Sequence, residues 1–121
     1  NTDIDLDNAA NKRFVADFRK KYRNEYPAHY AAQAYDALMM IAAAVEQSGG
    51  DPKNVDGVRA AMEQAKFASV RGPFKFGKNH FPVQNFYARK VVKDKDGTWV
   101  MSKVGLVFKN NAPYNSSECK L

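Results

Sequence analysis

At 121 residues, 45% of them hydrophobic and 26% charged, the chain has the composition of a globular domain, which excludes a wholly disordered or fibrous protein. That length suits one domain or a piece of one, burying about two-thirds of the unfolded surface. The formal charge of +6 favours an anionic partner, yet the cations are scattered and only Arg19 to Arg23 forms a cluster, which on a helix is more often a solvated face than a nucleic-acid site.

The chain opens on Asn-Thr-Asp-Ile-Asp-Leu-Asp, which carries no initiator Met and is no signal peptide, so a processed or truncated protein is expected. Asp7 or Asn8 can cap a first helix by accepting from free backbone N–H groups. Phe14, Val15, Phe18 and Tyr22 form its apolar stripe, and cations crowd its last turn. Tyr26-Pro27 is expected to end it, because the residue before proline is pushed out of helical geometry. The stretch from Tyr26 to Gly50 predicts a long helix with Pro27 in its first turn and Gly49-Gly50 closing it. Between Tyr30 and Val45 only Gln33 and Asp36 are strongly polar, so burial on more than one side is expected. Ala31, Ala34, Tyr35, Leu38, Ala42 and Val45 should make its deepest stripe. The run is too short and too polar at one end for a membrane span. Asn54 can cap a third helix carrying Val55, Val58, Ala61, Met62 and Ala65 at helical spacing.

From Phe67 the pattern turns to strands. Gly72-Pro73 reads as a turn, Phe74 and Phe76 alternate with Lys75, and residues 77–80 read as a loop. Residues 84–93 and 98–107 read as strands joined by the hairpin turn Asp94-Lys95-Asp96-Gly97. Residues 110–121 read as a loosely ordered tail. Three helices therefore precede a small set of strands.

Chemistry is sparse. His29 and His80 are the only histidines and have no metal-ligand spacing with Cys119 or with a carboxylate pair, so neither a metal nor a cofactor is expected. Cys119 cannot close an internal disulfide. His29 lies near the positive end of the long helix, where N–H groups attract carboxylates; a ligand-facing role and a plain surface histidine both fit. Ser48, Ser69 and Ser102 lack a neighbouring base, and no phosphate loop or dinucleotide glycine pattern is present, so a binding function is favoured over an enzyme. Asp36 invites a catalytic label, but an Asp in an apolar helix more often caps a neighbouring turn or faces a polar edge. Phe86-Tyr87-Ala88-Arg89-Lys90 interleaves aromatics and cations as an RNA-binding strand would, though an ordinary half-buried strand gives the same alternation. Asn115-Ser116-Ser117 fits a glycosylation acceptor.

Four segments in order carry a family resemblance: Asn11-Lys12-Arg13-Phe14-Val15, then Tyr30-Ala31-Ala32-Gln33-Ala34-Tyr35-Asp36-Ala37, then Val70-Arg71-Gly72-Pro73-Phe74-Lys75-Phe76, and Phe86-Tyr87 ahead of a Lys-Asp-x-Asp-Gly turn. Together they resemble the carboxy-terminal third of a type I periplasmic solute-binding protein, in the branched-chain amino acid (Leu/Ile/Val) binding family of ABC transporters. The resemblance implies an α/β fold of two lobes that closes on a small solute in the periplasm and delivers it to a membrane permease, with no catalysis. It implies that residues 1–83 belong to the amino-terminal lobe, that residues 79–83 make the last crossing, and that residues 84–121 complete the second lobe. By position in the family, His29, Tyr30 and, less directly, Gln33 would meet the ligand. The wording from Asn79 to Tyr87 resembles members that take aromatic acids more than amino-acid binders. On this reading the chain is part of a longer protein, it binds solute poorly alone, its exposed strand edges favour self-association, and Cys119 is available to a cysteine elsewhere. A free-standing basic α+β module that binds nucleic acid, and an enzyme subunit completed by a partner, are the alternatives.

Overall fold

The computed structural model describes residues 5–112 and Glu118. Helices α1 (Ala9–Lys21), α2 (His29–Gln47) and α3 (Val55–Gln64) are followed by strands β1 (Lys75–Phe76), β2 (Pro82–Lys93) and β3 (Trp99–Asn111). The glycosylation acceptor and Cys119 lie outside the described residues.

Asn8 caps α1, its side chain accepting from the Asn11 N–H at 2.7 Å, and Arg19, Lys20 and Lys21 occupy the last turn, where the helix dipole favours cations. The helix stops at Lys21, short of Tyr26-Pro27. Arg23 and Asn24 take left-handed backbone conformations with φ of 48° and 67°, so the chain has already turned before proline can act. Pro27 accordingly precedes α2 instead of sitting in its first turn, and Ala28 is the capping residue. At the other end Gly49 and Gly50, with φ of 98° and 83°, close α2 as their type predicts.

The buried face of α2 differs from the expected stripe. Ala32, Asp36 and Ala44 are its buried residues, whereas Leu38 is 69% exposed and Ala34 and Ala42 are exposed too. The inward face is rotated by one residue, about 100° around the axis. Asp36 is the cause. Its carboxylate accepts from the Ser69 hydroxyl at 2.7 Å, the Val70 N–H at 2.9 Å and Arg71 Nε at 2.8 Å, so the buried side chain has these bonds supplied by one loop. The flank holding Ala31 and Tyr35 packs beside it. Phe14 of α1 stacks on Tyr35 at 4.8 Å, and Phe14, Ala32 and Val70 form the core, with Val15 and Phe18 against it.

Asn54 caps α3 through a bond from the Gly57 N–H, and Ala61 and Ala65 are its deepest contacts, while Val55 stays exposed. The three strands form one antiparallel sheet in the order β1-β2-β3. Strand β2 changes partner between Val83 and Gln84: Pro82 and Val83 pair with β1, and pairing with β3 begins at Gln84. The turn at residues 94–97 is built as expected, with Asp94 Oδ1 accepting from the N–H groups of Asp96 and Thr98 and Gly97 at φ 79°. Strand β3 runs to Asn111, four residues beyond its expected end. Of the hairpin only Val83 and Val100 are buried, so little apolar packing fixes it to the helices.

Candidate functional site

The amino end of α2 and the β2–β3 hairpin enclose a cavity of about 240 Å³, lined by Tyr26, Pro27, Ala28 and His29 on one side and Arg89, Trp99, Val100 and Met101 on the other. The local sequence explains the first wall. The left-handed turn at Arg23 and Asn24 reverses the chain, Pro27 is buried, and α2 then starts at His29. The N-cap of α2, Ala28, makes no side-chain capping bond, unlike Asn8 of α1 and Asn54 of α3, and the first turn of α2 carries no acidic residue. The positive end of the helix dipole therefore stands at the cavity without a carboxylate beside it in sequence. The second wall follows from strand register. Lys93 pairs with Trp99, Val91 with Met101 and Arg89 with Lys103, so cross-strand partners bring an arginine and two large apolar side chains to one region of the hairpin.

His29 is half-buried. Burial is the largest cause that holds its imidazole below the ordinary value of 6.5, and the charges of Arg89 and Arg71 act in the same direction, so the ring is neutral at pH 7. Its Nε2 lies 3.0 Å from the Gln33 side-chain nitrogen one turn along. With that amide donating, the proton of the neutral ring resides on Nδ1. Tyr30 is 79% exposed, and its ring meets His29 edge-on at 5.5 Å. Of the three residues singled out from sequence, His29 lines the cavity, while Tyr30 and Gln33 flank it on the outer surface of the first turn. Arg89, Trp99 and Met101 were not singled out for this role. The aromatic and cationic alternation at residues 86–90 is a signal for Arg89 alone, and it reads equally as an ordinary strand; Trp99 and Met101 carry none beyond membership of the next strand.

The cavity combines a guanidinium, a helix amino terminus and a neutral imidazole with an apolar wall. Such a set suits a small anion with an apolar body, because arginine matches a carboxylate in a planar fork while Trp99 and Met101 accept the rest. Elsewhere, His80 lies 3.7 Å from Glu63 on the surface, and among the described residues no group of three or more His, Cys, Asp or Glu is placed to hold a metal ion. No helix among them is long and apolar enough to cross a membrane.

A family model described as periplasmic binding protein matches residues 1–98. The chain belongs to the periplasmic binding protein family. Within it the relatives are of the type I, branched-chain amino acid group. The Leu/Ile/Val-binding protein homolog 6 of Brucella abortus (strain 2308) is 28% identical over 112 residues, covering 91% of this chain, and so is its counterpart in Brucella suis. Among solved structures, a solute-binding protein of an ABC transporter from R. palustris, in complex with benzoate, is 42% identical with a TM-score of 0.79 across 97% of this chain. An ABC transporter substrate-binding protein from Sphaerobacter thermophilus, 21% identical over 89% of this chain, shares the fold with a TM-score of 0.78. The chain spans 28% of the length of the curated relatives and 31% and 29% of the two solved chains. Its three helices and three strands are thus an α/β portion of the periplasmic-binding-protein fold.

Proposed function

We propose that this chain is the carboxy-terminal part of the solute-binding component of an ABC importer, working in the periplasm and presenting a small aromatic acid to a membrane permease. The observation that carries the reading is the 42% identity, across 97% of the chain, to a solute-binding protein in complex with benzoate. The cavity supports it independently, since Arg89 and the amino end of α2 suit a carboxylate while Trp99 and Met101 suit a ring. His29, with Tyr30 and Gln33 flanking it, is the contribution of α2. Residues 1–83 belong on this reading to the amino-terminal lobe and 84–121 to the second, a division supported by the change of partner in β2 between Val83 and Gln84. The exposed apolar residues of α2, Leu38, Met39 and Ile41, and the free edge of β3 are then surfaces covered by the remainder of the two-lobed fold. Nothing in the site serves as a nucleophile beside a base, and the protein binds without catalysing.

A branched-chain amino acid is the second reading, favoured by the Leu/Ile/Val-binding relatives. The nucleic-acid alternative is weakened by the basic cluster itself, because Arg19 is engaged within the molecule by Tyr26 and Asp96. Titration calorimetry on the natural protein that carries this sequence decides among them. Benzoate should bind more tightly than leucine, and His29→Ala should weaken benzoate by about tenfold, the equivalent of ~1.4 kcal/mol. Tight binding of leucine alone establishes the second reading, and heat from neither, with salt-dependent DNA binding, restores the third. The isolated 121-residue chain should bind benzoate far more weakly than the natural protein.

A further inference from the structure

The β2–β3 hairpin forms half of the candidate site yet buries only two residues, so something other than a hydrophobic core must set its position over α2. A polar cluster does this. Arg19, in the last turn of α1, lays its guanidinium over the Tyr26 ring at 4.2 Å from the centroid and donates to the Tyr26 hydroxyl. Its other terminal nitrogen reaches Asp96 of the hairpin turn at 3.6 Å. Because the Tyr26 oxygen accepts from Arg19, its own hydrogen is left for an acceptor, and the Asp94 carboxylate is the group it interacts with. Asp94 Oδ1 is occupied by the N–H groups of Asp96 and Thr98. Asp94 Oδ2 is buried and has no hydrogen-bond partner among the described residues, so the Tyr26 hydroxyl acts on this carboxylate through its electrostatics.

We propose that Arg19, Tyr26 and the turn carboxylates Asp96 and Asp94 form a latch that holds the hairpin against the amino end of α2 and so positions His29 and Arg89 across the cavity. On the helical side Tyr26 is joined to His29 by Pro27 and Ala28 alone, and all four line the cavity. Proline fixes its own φ and confines the residue before it to extended geometry, so this link is stiff and a displacement of Tyr26 is passed to His29. On the other side Asp94 sits at the head of the turn, midway in the chain between Arg89 and Trp99. Titration agrees with the geometry. Burial, then the Asp94 carboxylate, raises the Tyr26 hydroxyl; Asp94 stays below the ordinary carboxylate value although burial opposes it, because Thr98, Tyr26, Asp96 and Arg19 favour its charge. These four are positioning residues, and their bearing on solute rests on the function proposed above.

The test is the titration of the His29 ring, followed by NMR in the natural protein and assigned with His29→Gln. Arg89 and Arg71, whose charges lower that titration, and Gln33, which contacts the ring, are untouched in the variants. In the wild type the midpoint lies below 6.5; Tyr26→Phe, which keeps the ring and removes only the hydroxyl, should raise it toward 6.5 and weaken benzoate several-fold at an unchanged melting temperature. Asp94→Asn should act in the same direction. An unmoved midpoint in a folded Tyr26→Phe or Asp94→Asn protein overturns the latch, and so does loss of folding in both, since a latch predicts a displaced hairpin and not an unfolded chain. A raised midpoint in a protein that binds no benzoate supports the latch and overturns the proposed function instead.

Discussion

Asp36 shows how one residue can decide which face of a helix is buried. Placed in an apolar run, it would normally be turned to water, and the helix would bury Leu38 and Ala42. Ser69, Val70 and Arg71 supply three hydrogen bonds and a counter-charge, the Asp36 side chain is 2% exposed and that of Arg71 11%, and the apolar stripe gives way. Removing one member of such a buried pair leaves an uncompensated charge. Asp36→Ala should therefore destabilise the protein by about 3–5 kcal/mol in urea unfolding, and Asp36→Leu combined with Arg71→Met should cost clearly less. If the double variant is the less stable of the two, the pair contributes more than its desolvation costs, and a merely compensating role for Arg71 is refuted. The partners of Asp36 lie 33 to 35 residues along the chain, which is why its burial could not be read from its neighbours.

Among the elements, α3 was the most legible, because its cap, stripe and end are local. Asn54 accepts from the Gly57 N–H at 3.1 Å and donates to the Ser48 carbonyl at 3.2 Å, so it ties the helix start to the end of α2. Gly57 is part of this arrangement, since a Cβ there would stand 2.3 Å from Asn54 Nδ2. Gly57→Ala ordinarily gains about 1 kcal/mol in a helix interior. Here the cap must move, at a cost of about the same size, so the single substitution should be near neutral. In an Asn54→Ala background Gly57→Ala should regain about 1 kcal/mol, a coupling that a double-mutant cycle by thermal unfolding will show. Strictly additive effects would mean that the cap and the glycine are independent. The end of α1 was less legible than α3, because the left-handed pair Arg23-Asn24 involves residue types that only sometimes adopt that conformation.

For the whole molecule, fifteen large apolar residues are exposed against eight buried hydrophobic ones among the described residues, so much of the apolar surface is available for contact. Among the described residues, strand β3, 13 residues long, has no partner along its outer edge, with Val104, Leu106 and Phe108 exposed and only Lys103 and Lys109 as charged guards. The isolated 121-residue polypeptide should self-associate, giving a mass above 13.6 kDa by light scattering, and Val104→Lys should shift it toward the monomer. A monomer in the unsubstituted chain refutes this. The sequence by itself determined the order of helices and strands, the asparagine caps, the glycine stop of α2 and the Asp-x-Asp-Gly hairpin turn, because each depends on residues within one or two turns of one another. Its ordered motifs were also enough to indicate the family. Tertiary structure alone decided which face of α2 is buried, that Arg89, Trp99 and Met101 confront His29, and that Arg19 and Tyr26 meet the hairpin turn. Those groups lie more than 30 residues apart, and only packing and charge compensation in three dimensions bring them together.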